Sequence, residues 1–321
     1  MKRIFIVFLT ASFILSLMVG CARKSVSDPK AITIAYQPSV GYAPLLVMKE
    51  QKLIEKHYNG EITVNWTELS SGSAITEGMI SGNIDVGSMG VPVAVTGIQA
   101  GAPFRIAFGL SAQPYAIQTN SADIHSLRDI KDTDQIAIMN LNSQPHILLA
   151  MAAKAEFGDA RALDKNLTIL GNADGYSALM SGAVSCHMVI SPFNFMEVSS
   201  GNIHEIRVSQ DVWPAENTAL VTVVTESLKN EDPEIYNALL AAVEEAMNYI
   251  KDNPTSTAEM LAVGYDATPK EIETWITDVR SSYSMELHGV MNMIDFMVEE
   301  GFLDKGPETL NDLIFDHVKG D

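Results

Sequence analysis

Residues 69–110, LSSGSAITEGMISGNIDVGSMGVPVAVTGIQAGAPFRIAFGL, constrain the fold more than any other stretch. They read as a strand end, a loop of hydroxyls and glycine, a short helix, a short strand, a glycine turn, a second helix and a strand. Ser70, Ser71, Gly72 and Ser73 set small side chains and open backbone N–H groups just ahead of the helical spacing Ile75, Met79, Ile80. Residues 85–92 repeat the arrangement, with a tight glycine turn after Val86 and Pro92 near the first helical position. A helix start leaves N–H groups unpaired and carries partial positive charge, so polar or anionic groups are favoured there. Two such mouths on one sheet edge make a polar cradle without a catalytic side chain in it. That is the layout of a binder.

The flanking sequence continues the alternation. Residues 32–36 and 62–66 have strand character, and 43–56 read as one helix with Leu45, Leu46, Met48, Leu53 and Ile54 inward. Strand–helix alternation implies a parallel sheet covered on both faces, with ligands collecting at the carboxyl ends of the strands. After Leu110 the pattern restarts: strands at 116–119, 135–139, 167–170 and 184–190, helices near 147–157 and 175–181. Two similar α/β lobes facing each other are expected. The last third is helical, with Ile235, Leu239, Val243, Met247 and Ile250 on one face, a capping box at 268–271, and helices over 285–300 and 309–318. The methionines between 247 and 297 recur at helical spacing and read as core filler.

The 321 residues suit two domains with real cores, and 47% hydrophobic content argues for a globular chain. A formal net charge of −19, with no basic cluster to offset it, argues against nucleic acid as a partner. Lys2 and Arg3 precede an apolar run over 4–19, then Gly20 and Cys21. The run is short for a membrane span and has the form of a targeting segment. Residues 17–21, LMVGC, resemble a bacterial lipobox, which makes Cys21 the lipidated first residue of the mature chain. Residues 22–30 are a polar tether, and no later run is long and apolar enough to cross a bilayer. Cys186, the second cysteine, sits in the apolar run 183–190 and reads as a buried structural thiol.

Several short segments carry a family resemblance: Ile34 to Ser39, Ala43 to Val47 with Leu53 to Lys56, Ser81 to Gly87, and Ala100 to Ile106. Ser126 to Ile130, Ala178 to Val184 and Ile294 to Met297 continue it. In order and spacing the chain resembles the bacterial solute-binding lipoproteins of ABC importers that handle nitrate, sulfonates, taurine and thiamine-pyrimidine precursors. The resemblance implies a two-lobed periplasmic-binding-protein-like fold of type II, each lobe a mainly parallel sheet flanked by helices. It places residues 31–112 and 215–321 in one lobe and 113–214 in the other, with the solute between them. It implies an ABC permease and its ATPase as partners, a monomer anchored on the extracytoplasmic face of the cell membrane, and no cofactor or metal.

The candidate ligand contacts are Gln37, Ser39 and Tyr42 from the first mouth, Ser71 and Ser73 from the second, and Gly90 and Val91 from the third. The far lobe supplies Asn140, Ser143, Gln144 and His146, then Ser191 and Phe193, and Trp213 stands ready to stack on a flat ligand at the return crossing. None of these mouths contains lysine or arginine, so a sulfonate or nitrate depends on backbone N–H groups, hydroxyls and His146. Tyr36, Tyr42, Phe193 and Trp213 beside amides suit a neutral aromatic or heteroaromatic solute. An enzyme is disfavoured: the seven histidines are scattered, and no H-E-x-x-H, G-x-S-x-G or P-loop is present. Cys186 stands alone where the eukaryotic pyrimidine synthases of this fold carry a cysteine-rich motif. A binder that presents its closed form to a receptor kinase is the remaining alternative.

Overall fold

The computed structural model describes residues 30–206 and 212–321. The targeting run, Cys21 and nearly all of the tether lie outside the described residues. The first lobe is built on β1 (Lys30–Tyr36), β2 (Ile62–Glu68), β3 (Val86–Gly90) and β4 (Phe104–Ser111). The second carries β5 (Tyr115–Thr119), β6 (Ile136–Ile138), β7 (Leu167–Ile169), β8 (Cys186–Ile190) and β9 (His204–Ile206), and β10 (Leu220–Thr225) returns to the first. The sheet orders are β2-β1-β3-β10-β4 and β7-β6-β8-β5-β9.

The two lobes and their flanking helices match the expected α/β architecture, but each sheet is mixed. In the first, β1 runs parallel to β2 and β3 while β10 is antiparallel to β3 and β4. In the second, β6 runs parallel to β7 and β8 while β5 is antiparallel to β8 and β9. The antiparallel members are the strands that begin where the chain has just crossed from the other lobe. Alternation of apolar residues reports that a strand exists, not which way it enters its sheet.

The helices are α1 (Ala43–Glu50), α2 (Leu53–His57), α3 (Gly72–Ile80), α4 (Val91–Gln99), α5 (Gln144–Phe157), α6 (Asn172–Ser181) and α7 (Phe193–Ser199). The C-terminal third adds α8 (Glu226–Glu231), α9 (Pro233–Asp252), α10 (Pro254–Leu261), α11 (Pro269–Ile276) and α12 (Val290–Glu299). The single helix expected over 43–56 is split into α1 and α2 because Lys52 takes the left-handed conformation, φ 51° and ψ 47°. The capping box on α11 is present: Thr268 Oγ1 accepts the Glu271 N–H at 3.3 Å, and Glu271 Oε2 accepts the Thr268 N–H at 2.8 Å. Asp232 precedes α9 but makes no side-chain cap; its carboxylate pairs with Lys30 instead. The segment expected as a helix over 309–318 forms a single turn at Leu310–Asp312.

One apolar core joins β1, α1 and α9, with Ile34, Leu45, Leu239 and Val243 fully buried. A second core runs from the first lobe into the other, bringing Val95 of α4, Ile147 of α5 and Met293 of α12 together. The lobes therefore meet along α4, α5 and α12. Among the described residues, no helix is long and apolar enough to cross a membrane.

Candidate functional site

Helix starts from both lobes converge on a cavity of about 230 Å³. From the first lobe, Gln37, Ser39 and Tyr42 come from the turn after β1, Ser70 and Gly72 from the mouth of α3, and Gly90 from the mouth of α4. From the second, Asn140, Ser143 and Gln144 come from the mouth of α5, Asn172 and Asp174 from the first turn of α6, and Phe193 opens α7. The α/β alternation puts these mouths at the carboxyl ends of the parallel strands, where ligands of such sheets collect.

Local hydrogen bonds fix the walls. Ser39 caps the turn at Val40–Tyr42, its Oγ accepting the Gly41 N–H at 3.1 Å, and the same hydroxyl donates across the lobes to the Ser191 carbonyl at 2.6 Å. Gln37 Nε2 donates to the Tyr42 hydroxyl at 2.7 Å. Burial pushes the phenols of Tyr42 and Tyr115, both lining the cavity, far above the usual tyrosine range, so both stay neutral O–H groups. A Cβ on Gly90 would stand 3.1 Å from Gln144 Cβ, so the glycine lets the mouths of α4 and α5 approach closely. Gln144 is 2% exposed, and neither atom of its amide has a hydrogen-bond partner among the described residues. A buried amide left unpaired costs about 1–3 kcal/mol. At a cavity wall, such a group is free to pair with what enters.

Of the expected contacts, Gln37, Ser39, Tyr42, Gly90, Asn140, Ser143, Gln144 and Phe193 stand around this one cavity. The others are elsewhere. Ser71 spends its hydroxyl capping α3, accepting the Ala74 N–H at 3.3 Å, so its neighbours Ser70 and Gly72 form the wall. Ser73 faces an outer groove beside Ile80 and Leu141. Val91 is fully buried in the shared core, and Ser191 offers its carbonyl to Ser39 while its own side chain is buried without a partner. His146 lies in the first turn of α5, behind the wall, its Nδ1 accepting the Asn142 N–H at 2.9 Å. Trp213 walls a different cavity, with Val212, Leu148 and Met188. Sequence reasoning missed Asn172, Asp174 and Tyr115. The first two open a helix much as Ser70 and Gly72 do, a signal that was readable; Tyr115 follows a proline at the crossing and carried none.

Among the described lining residues no lysine or arginine is present, and the charged side chain there is Asp174. Among the described residues, no group of three or more histidine, cysteine, aspartate or glutamate side chains is placed to hold a metal ion.

Paired lobes of this topology with a cavity between them define the periplasmic-binding-protein fold, and solved structures of that fold resemble the chain. The alkanesulfonate-binding protein SsuA from Xanthomonas axonopodis pv. citri, bound to MOPS, matches with a TM-score of 0.75 at 17% identity, covering 90% of this chain and 99% of that one. The periplasmic nitrate-binding protein NrtA from Synechocystis PCC 6803 matches with a TM-score of 0.72 at 15% identity, covering 91% of this chain and 86% of that one. A curated relative, the putative aliphatic sulfonates-binding protein of Escherichia coli (strain K12), is 23% identical over 239 residues, 74% of this chain and 72% of its own. The sequence profile of the NMT1-like family matches residues 25–263, and the chain belongs to that family.

Proposed function

We propose that the protein is the extracytoplasmic solute-binding component of an ABC importer. It captures a small organic solute in the interlobe cavity and delivers it, unchanged, to the permease. Residues 31–112 with 215–321 form one jaw and 113–214 the other, and a lipidated Cys21 holds the assembly at the membrane. Closure binds a solute only through contacts that the open form lacks. The Ser39–Ser191 hydrogen bond, reaching from lobe to lobe, is a contact of that kind. The sulfonate- and nitrate-binding functions of the relatives support solute capture as the activity.

The observation that carries this reading is the Gln144 amide, buried and unpartnered at the wall of a cavity shared by two lobes. The solute is an aromatic or heteroaromatic compound, or a sulfonate. The rings of Tyr42, Tyr115 and Phe193, the amides of Gln37 and Asn140, and a carboxylate in place of a lysine favour an uncharged planar one. Calorimetric titration with uracil, ethanesulfonate and nitrate tests this. Uracil is expected to bind saturably and more tightly than either anion, and Gln144→Ala to weaken that binding about tenfold. Tighter binding of ethanesulfonate would reverse the ligand class. Turnover of a substrate without saturable binding of any probe would replace the binder by an enzyme.

A further inference from the structure

His146 stands behind the cavity, yet its hydrogen bond reaches the cavity's wall. It is the third residue of α5 and 3% exposed. Its Nδ1 accepts the backbone N–H of Asn142 at 2.9 Å, so the ring is neutral with its proton on Nε2. Asn142 is held at φ 57°, a left-handed conformation that a non-glycine residue adopts at some cost. On either side of it stand Asn140 and Ser143, both lining the cavity and tied together by Ser143 Oγ donating to the Asn140 carbonyl at 2.6 Å. The arrangement resembles a capping box, in which a side chain at the third helical position reaches back to an N–H before the helix. Here the acceptor is an imidazole nitrogen, and an imidazole nitrogen can be switched off.

We propose that His146 is the positioning residue for the 140–143 wall and that a second proton on its ring releases the solute. This rests on the cavity's being the solute site. Proton uptake at Nδ1 removes the acceptor for the Asn142 N–H and places a positive charge in the first turn of a helix, where the backbone dipole opposes it. The surroundings oppose it further. Burial and Arg161 hold the ring below the usual histidine range, against the opposing pull of Asp164, whose Oδ1 lies 4.0 Å from Nε2. Phe302 stands edge-on to the ring at 5.5 Å between ring centroids. Arg161 lies over that ring at 4.3 Å, and the nearby Glu300 pairs with Lys154 at 2.8 Å. The first lobe thus packs on the ring through Phe302, so the switch sits where the lobes meet.

Two measurements test this on the intact protein. Nuclear magnetic resonance from about pH 8 to about pH 5, bracketing the usual histidine value near 6.5, follows the His146 ring and the Asn142 amide together. The ring is expected as the Nε2–H tautomer, and the Asn142 amide to shift with the same midpoint as the ring. In His146→Asn, whose Oδ1 stands where Nδ1 stood, the amide is expected to stay bonded throughout; in His146→Leu it is expected unbonded even at the upper end. An Asn142 amide that ignores the ring's titration would overturn the proposal.

Calorimetry with uracil or ethanesulfonate, neither of which titrates in this range, supplies the second readout. Affinity for the probe that binds is expected to fall about fivefold or more as the ring protonates, and to stay level in His146→Asn. Affinity that stays level in the native protein while the Asn142 amide titrates also overturns the proposal. If the amide titrates but neither probe binds, the solute-site reading fails together with the release step, and His146 is left as the residue that orders the loop.

Discussion

Residues 71–93 of the first lobe and 171–193 of the second are two versions of one structural unit. Their positions correspond with numbers one hundred apart. α3 begins at Gly72 and α6 at Asn172, and the left-handed turns fall on Gly82 (φ 75°) and Gly182 (φ 77°). Gly87 pairs with Ala35 and Val223, and His187 pairs with Ala137 and Gln118, at matching places in the two sheets. The versions differ in how they fill the space between helix and sheet. In the first, Ile75 descends from the helix onto Gly87, where a Cβ would lie 2.5 Å from the Ile75 Cγ2. In the second, His187 rises from the sheet against Gly175, where a Cβ would lie 2.5 Å from the His187 Nε2. The same gap is closed by an apolar side chain from above or by a polar one from below. The polar solution needs a partner, and Glu197 of α7 supplies it, its Oε1 at 2.6 Å from His187 Nδ1 with both residues fully buried. The second lobe thereby ties the helix that begins with Phe193, a cavity residue, to the middle of its sheet.

Removing that tie gives the largest expected effect. Glu197→Ala leaves His187 buried without its partner and should cost about 3–5 kcal/mol, read by chemical denaturation. No position of the first lobe's unit depends on a buried pair of ionisable side chains in this way, so a comparable loss from Ile75→Val would erase the distinction; about 1 kcal/mol is expected there.

The glycines come next. Gly175→Ala drives a methyl into an imidazole fixed by Glu197 and should destabilise by about 2–3 kcal/mol. Gly87→Ala meets Ile75 and the Met79 sulfur, at 2.5 and 2.7 Å, and methionine yields more readily, so about 1–2 kcal/mol is expected. In a double-mutant cycle, His187→Gly should recover much of the Gly175→Ala cost, because the two residues compete for one space. Additivity would show that they do not.

The repeat of strand, polar loop and helix was legible in the sequence because glycines, a proline and apolar spacing mark each boundary. Eight expected contacts reached one cavity for the same reason: they sit at helix mouths. What escaped depended on where single atoms point. Ser71 is adjacent to the wall but turns its hydroxyl into its own helix. Trp213 is close to the crossing in sequence but walls another cavity. His146 is polar and near the mouth, yet three residues into a helix the side chain turns back over the preceding turn. Sheet direction was hidden too, since β5 and β10 find their partners across large sequence separations.

A smaller contrast is in pH response. Desolvation raises the Glu197 carboxyl above the usual range, outweighing the hydrogen bond from His187 that pulls it down. A carboxyl with a raised folded-state pKa favours folding most fully below the unfolded value, near 4.3, and that contribution is lost as pH rises through the folded value. His146 has the opposite sign: its lowered pKa stabilises the fold above the ordinary histidine value and that contribution is lost as pH falls through the folded one. Glu197→Gln should therefore flatten the upper slope of stability against pH and leave the His146 slope in place. An unchanged upper slope would mean that Glu197 does not titrate between the folded and unfolded states.

The smallest effect is expected where the two units already agree. Cys186 in β8 corresponds to Val86 in β3; both are fully buried, and they pair with Ile136 and Ile34 in the neighbouring strands. Burial pushes the Cys186 thiol up to about 11, so at neutral pH it is a protonated, apolar-like group. Cys186→Val writes the first lobe's residue into the second at nearly constant volume and should change stability by less than about 1.5 kcal/mol. The native thiol should resist alkylation until the protein unfolds. A loss as large as that of Glu197→Ala would mean that the lobes differ at this position as well, and that the sulfur holds something in the second sheet which a methyl group cannot.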